Sequence, residues 1–211
     1  MLLYDADWAP SPRRVRMFLA EKGLEVERRT IDMRADEQLG AAYLAVNPRG
    51  TVPALVIEGD AEPLTESAAI CRYLEALHPS PALLGDTPIA LARTEEWTRR
   101  IEAEGYAAAV YALRNTRPYF ADRGLPGTGP AVPQIPELAD RADIMWQGFV
   151  AALDTRLKDR AWIATDGYGF ADITALVTID FARAARLTVP DGCSALADWY
   201  GRASARTSAA A

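Results

Sequence analysis

This 211-residue chain is poor in histidine, lysine and cysteine. It has one histidine, His78, and of its 23 basic residues only Lys22 and Lys158 are lysine. A single imidazole leaves a Ser-His-Asp triad or a histidine-rich metal site little to work with. The two cysteines, Cys71 and Cys193, are too few for a disulfide scaffold. They form no CxxC and no metal-ligand spacing, so neither a thioredoxin-type redox pair nor a bound metal is expected. The longest unbroken apolar run, Tyr106–Leu113, is far short of the roughly 20 residues that cross a bilayer, which excludes a membrane span. The chain opens on MLLYDA, with no basic segment and no apolar leader, which implies a cytoplasmic location. Excess positive charge is also missing. Against 29 acidic residues the 23 basic ones give a net charge of −6, so nucleic acid is not the expected main partner. Apolar residues make up 50% of the chain, enough for a sizeable core in one or two domains.

Residues 1–77 alternate between strand-like and helix-like patterns. Leu2–Tyr4 is a short apolar strand. Ser11-Pro12 signals a helix start, with serine as the cap and proline at the first helical position, before Val15, Phe18 and Leu19 at helical spacing. Gly23 closes that helix. Val26–Ile31 alternates as a second strand, and Gln38–Val46 is a short helix. Ala54–Ile57 and Ala61–Leu64 flank Glu58-Gly59-Asp60 as a hairpin. Thr65 caps a helix whose apolar face is Ala69, Ile70, Tyr73, Leu74 and Leu77. The order β-α-β-α-β-β-α predicts a small mixed sheet with helices on its faces. Proline-rich residues 78–87 read as a linker. From 88 to 205 the signal is helical: 88–114, Glu137–Lys158, Gly169–Arg186 and Ser194–Ala205, with a frayed tail at 206–211. The connection Gly124–Pro136 carries three glycines and four prolines, a long irregular loop of the kind that is often functional.

Two stretches suggest a binding site. In Asn47-Pro48-Arg49-Gly50-Thr51-Val52-Pro53-Ala54-Leu55, the Val52-Pro53 bond is a candidate for the cis form just before a strand. Such a turn leaves the Val52 N–H and C=O facing outward, where they clamp a peptide-like ligand in the manner of an added strand. The alternative is an ordinary turn. In Thr65-Glu66-Ser67, a helix N-terminus attracts a carboxylate, Ser67 binds the same carboxylate, and Glu66 binds an ammonium. That pair suits an α-amino-acid head group; the alternative is an ordinary acidic first turn.

In this order, behind a βαβ unit and before a helical half, the two stretches resemble those of the cytosolic glutathione transferase family. The resemblance covers essentially the whole chain. NPRGTVPAL is similar to the family's cis-proline loop, and TESAAICRYL to the helix that receives the γ-glutamyl end of glutathione. GFADITALV is similar to a buried capping motif. APSPRRVRMFLAEKGL matches the first helix, especially in a bacterial and fungal branch with atypical catalysis.

The resemblance implies a thioredoxin-like α/β N-terminal domain at 1–77 and an all-α C-terminal domain at 88–205. It also implies a homodimer with glutathione, as co-substrate and without a metal, between the domains. Val52 and Pro53 would meet the cysteinyl backbone. Glu66 and Ser67 would hold the γ-glutamyl group, and Gln38, Arg49 or Thr51 the glycyl carboxylate. Ser11, at a helix start, is placed to donate to the sulfur and lower the thiol pKa; otherwise it caps the helix. In the branch this chain resembles, a histidine-rich segment of the helical domain, with water, does that work. Here the segment reads Leu113-Arg114-Asn115-Thr116-Arg117-Pro118, with Asn115 as the second catalytic candidate. Trp8, Tyr111, Arg114 and Tyr119 are candidates to line a pocket for a hydrophobic electrophile, with loop 124–136 as its cover. The implied activity is conjugation of glutathione to such an electrophile, in detoxification. An isomerase, dehalogenase or peroxidase on the same fold, or a non-catalytic glutathione-binding scaffold, stays open. Asp172, three residues after Gly169, is expected to stabilise a helix start. Arg13-Arg14-Val15-Arg16 is expected to be a solvated face, with Arg16 able to approach the cleft; Cys71 is expected to pack, and Cys193 to lie exposed in a loop with nothing near it to depress its pKa.

Overall fold

The computed structural model describes residues 1–211. The chain forms two compact units. The first is Met1–Pro81 with 125–130 and 210–211; the second is 82–124 with 131–209.

In the first unit, β1 (Leu2–Asp5), α1 (Pro10–Lys22), β2 (Glu27–Thr30), α2 (Ala41–Leu44), β3 (Ala54–Val56) and α3 (Ser67–Leu77) follow in that order. The sheet order is β2-β1-β3, with β2 parallel and β3 antiparallel to β1. The register pairs Leu3 with Arg28 on one side and with Leu55 on the other. This is the thioredoxin-like arrangement expected. Tyr4, Ile31, Tyr43 and Ala54 form a buried cluster, and Val52 packs against it.

The expected hairpin is reduced to a single bridge. Leu55 and Leu64 exchange both backbone bonds, at 2.8 and 3.0 Å, but Pro63 has no N–H with which to extend the ladder. Helix α1 begins two residues earlier than expected. Ala9 is its N-cap, Pro10 takes the first helical position, and Ser11 sits second. Proline's fixed φ suits that first position, and the pair Pro10 and Pro12 leaves Ser11 to supply the donors of this turn. Helix α3 is capped by Glu66, not Thr65, and its buried stripe is Ser67, Ile70, Cys71 and Leu74.

The run at 13–16 is not a solvated face. Arg16 is buried against the buried Asp5 carboxylate, Nη1 to Oδ1 2.6 Å, and donates to the carbonyl of Asp7 at 2.8 Å. This pair holds the β1–α1 loop that carries Trp8. The first unit runs on to Pro81 because the buried Lys22 ammonium donates to the carbonyls of His78 and Pro81 and pairs with Glu75 at 2.5 Å.

The second unit comprises α4 (Pro88–Arg100), α5 (Ala107–Thr116), α6 (Pro136–Leu157), α7 (Phe170–Ala184) and α8 (Ser194–Ser204). A π-helical turn, Ile101–Tyr106, joins α4 to α5 without a break. Helix α7 is its axis: Phe170 through Ile179 are all buried. The tail is not frayed throughout, because Thr207–Ala210 form a 3₁₀ turn with Ser208 buried. Asp172, fully buried, accepts from Gly169 N at 3.1 Å, Ile163 N at 3.0 Å and Trp199 Nε1 at 2.8 Å. It is the helix-start residue expected, and it also ties α8 and the segment before α7 to one carboxyl group.

Burial is the largest influence on Asp172 and lifts its pKa from 3.8 to about 6, against the pull of those three donors. A carboxyl raised on folding contributes stability that is present below its unfolded pKa and lost as pH rises through the folded value. The shift corresponds to about 3 kcal/mol. Relative to Asp172→Asn, wild-type unfolding free energy should therefore fall between pH 4 and 7; parallel profiles would contradict the assignment. Asp172→Ala leaves three buried donors unpaired and should destabilise more than Asp172→Asn, at about 1–3 kcal/mol for each donor. Denaturant melts across that pH range measure both.

Candidate functional site

The site in the first unit is built on loop 47–52. Asn47, 1% exposed, turns its side chain back into the loop: Nδ2 donates to Thr51 O at 2.7 Å and Oδ1 accepts from Arg49 N at 3.1 Å. The Tyr43 hydroxyl donates to the same Thr51 carbonyl at 2.6 Å. Burial pushes the Tyr43 pKa up to about 12, so it stays a donor throughout the physiological range. The loop is therefore held from beneath by two side chains. At its end the Val52–Pro53 peptide is cis, as the sequence suggested. The Val52 N–H and C=O bond to no other group of the chain.

Two further elements meet this loop. Arg49 Nη1 lies 2.7 Å from Glu66 Oε1, which puts the two sequence motifs side by side. Ile70 N–H makes the first bond of α3, to Glu66 O, so the amides of Ser67, Ala68 and Ala69 point out of the helix end. Ser67 is buried, and its Oγ accepts from Arg14 Nε at 3.1 Å and Nη2 at 2.6 Å. Both lone pairs are then taken, which leaves the serine proton as the group it has to give. Arg14 was missed by sequence reasoning. No local signal separates it from Arg13, because its partner lies 53 residues away.

Ser11 is partly exposed at the second position of α1, and Trp8 is 50% exposed in the loop before it. Gln38 is buried beside the loop, with Nε2 3.3 Å from Asp36 Oδ1 and no partner for Oε1.

The remaining predicted residues lie in the second unit, where Arg114 and Tyr119 come together and Asn115 takes a different role. The Arg114 guanidinium stacks over Phe120 at 4.7 Å and donates to Arg123 O at 2.7 Å. Burial, then Arg123, lowers its pKa. Tyr119 packs edge-on against Phe120 and accepts from Arg123, and Tyr111 is 38% exposed on α5. Asn115 is buried with both ends of its amide engaged: Nδ2 donates to Tyr111 O and Oδ1 accepts from Ile135 N, each at 2.8 Å. It anchors the chain entering α6. Arg117 is likewise spent on the Ala184 carbonyl at the C-terminus of α7. A cavity of about 440 Å³ in this unit is lined by Trp146, Ile179, Leu187, Leu196 and Tyr200 among others, and by none of the predicted pocket residues.

Residues 8–77 match the family model for the glutathione S-transferase N-terminal domain, and 129–207 match that for the C-terminal domain. A relative from Saccharomyces cerevisiae, glutathione S-transferase 2, is 34% identical over 99% of this chain and 87% of its own. This chain belongs to the glutathione S-transferase family of enzymes. The crystal structure of Gtt2 from the same yeast superposes with a TM-score of 0.88 at 30% identity, covering 99% of this chain and 98% of that one. A maleylacetoacetate isomerase from Pseudomonas aeruginosa is 43% identical over 95 residues, 44% of each chain. No helix is long and apolar enough to cross a membrane, and no group of three or more His, Cys, Asp or Glu side chains is placed to hold a metal.

Neither cysteine belongs to the site. Cys71 is fully buried, and burial pushes its thiol pKa up to about 12. Burial and Asp154 raise that of Cys193, which is partly exposed. An aromatic disulfide reagent at pH 8 should therefore titrate one thiol in the native transferase, none in Cys193→Ser, and both wild-type thiols only after unfolding. Fast modification of Cys71 in the native state would contradict this.

Proposed function

We propose that the protein conjugates glutathione to a hydrophobic electrophile, with Val52, Glu66, Ser67, Arg49 and Thr51 as the tripeptide's binding groups and Gln38 beside them. The observation that carries this is the unpartnered backbone pair of Val52 next to a helix start that offers both charge signs. A cysteinyl residue pairs with Val52 N–H and C=O as an added strand does. The γ-glutamyl carboxylate meets the Ser67 hydroxyl, the α3 amides and the Arg14 guanidinium, while its ammonium meets Glu66.

Ser11 is the residue we assign to the thiol. Its hydroxyl and amide stand at the N-terminus of α1, where the helix dipole favours a thiolate. The thiol proton leaves to solvent, and the sulfur forms a C–S bond with the electrophilic carbon. The electron pair of the broken bond departs with the leaving group, or moves onto the acceptor atom of a conjugated system. Asn115 is a positioning residue in this reading. Trp8 offers aromatic surface in the first unit; in the second, Tyr111 and Tyr119 offer aromatic surface and Arg114 a guanidinium. We assign a homodimer acting in cytoplasmic detoxification on the family's pattern.

The partial match to maleylacetoacetate isomerase favours one second reading, an isomerisation in which glutathione is regained each turnover. Thiol consumption separates the two.

Calorimetric titration with glutathione should show binding that Glu66→Ala and Ser67→Ala each weaken by about 1–3 kcal/mol. Unchanged affinity in both variants would remove the γ-glutamyl assignment. Ser11→Ala should keep the affinity while raising the pKa of the bound thiol, read by ultraviolet absorbance between pH 5 and 9, and lowering turnover. A variant at full rate would place thiol activation elsewhere.

A further inference from the structure

Loop 47–52 is held from a second side. Residues 125–130 leave and rejoin the chain of the second unit, yet they pack as part of the first. Thr128 Oγ1 donates to Pro48 O at 3.0 Å. Gly127 approaches the loop so closely that a Cβ there would stand 2.6 Å from Arg49 O. A Cβ on Gly50 would stand 3.0 Å from both Thr128 Cγ2 and Leu39 Cδ2. Gly127 has φ +91° and Gly50 has φ +61°, so each glycine is required twice, by its backbone conformation and by the approach of its neighbour.

The contact falls on the two carbonyls that flank the Arg49 nitrogen and Cα, whereas Asn47 holds the Arg49 N–H. Arg49 and Glu66 are 65% and 66% exposed, and an ion pair so exposed is too weak to hold Arg49 in place by itself. What places the Arg49 side chain is its backbone, gripped between Asn47 and residues 127–128.

We propose that residues 125–130 are a positioning element for the peptide-binding loop, with Thr128 and Gly127 as positioning residues that set the affinity for glutathione without touching the sulfur chemistry. This rests on the glutathione reading above. Freed from Thr128 and Gly127, the loop spends part of its time with Arg49 and Thr51 out of place, and apparent affinity falls by the fraction that remains in place.

The test compares full-length wild type, Thr128→Val, Thr128→Ser and Gly127→Ala. Calorimetry gives Kd for glutathione, steady-state rates with a chloronitrobenzene electrophile give KM and kcat, and thermal melting reports the fold. Thr128→Val keeps the side-chain shape at an exposed position and should melt as wild type does, yet bind about threefold to tenfold more weakly, the range of one lost hydrogen bond. Thr128→Ser, which keeps the hydroxyl, should restore most of that loss. Gly127→Ala should weaken binding by at least about tenfold, because the new methyl cannot share space with the Arg49 carbonyl. KM for glutathione should rise with Kd, and kcat at saturation should hold. Wild-type affinity in both Thr128→Val and Gly127→Ala, equal loss in the valine and serine variants, or a fall in kcat at constant KM would each overturn the proposal while leaving glutathione binding intact. A wild-type protein that does not bind glutathione would overturn the functional reading, and the proposal with it.

Discussion

The buried amide of Asn47 is the constraint on which the first unit's site depends. Its two ends join Thr51 O to Arg49 N and close a short loop on itself. Everything offered to a ligand hangs from that closure. Thr51 O is drawn inward, so the next residue, Val52, keeps both backbone groups for something outside the chain. Arg49 is turned toward Glu66, so loop and helix start act as one surface. A buried amide hydrogen-bonded at both ends is held in place, because turning it away leaves polar groups unpaired in a low dielectric. The Tyr43 hydroxyl on the same carbonyl, its proton retained up to about pH 12, adds a second donor to that point.

The parts legible in sequence were those whose cause is local. Pro53 ahead of an apolar strand, the Glu66-Ser67 helix start and the β-α-β order are each set by residues a few positions apart, and they stand in the structure where the sequence placed them. What sequence could not show was pairing at a distance. Arg13, Arg14 and Arg16 look alike in a row. Only the fold decides that Arg16 meets Asp5 and Arg14 meets Ser67. In sequence, the segment 125–130 reads as part of a long glycine- and proline-rich loop of the kind that covers a pocket. Gly127 takes its meaning from Arg49, far away in the chain. The α1 cap moved by two residues, from Ser11 to Ala9, because Pro10 takes the first helical position and leaves Ser11 at the second.

In the second unit, two polar side chains of the kind that catalysis uses are bonded within the fold. Asn115 stands where a thiol-activating residue was expected, and it is occupied at both ends by backbone. Asp172, a buried carboxyl lifted to about 6, has the displaced pKa often found in catalytic acids, yet its oxygens face Gly169, Ile163 and Trp199. Both are keystones of packing. In the first unit, by contrast, the Val52 backbone pair has no partner within the chain.

The most direct test of the account is amide hydrogen exchange at Val52, measured with and without saturating glutathione. The free protein should exchange the Val52 N–H rapidly, as an amide with no acceptor does. Glutathione should slow it by at least about tenfold, the protection of an amide taken into a strand-like bond. Glutathione that binds and slows exchange elsewhere, while the Val52 amide exchanges as fast as before, would contradict the account at its centre.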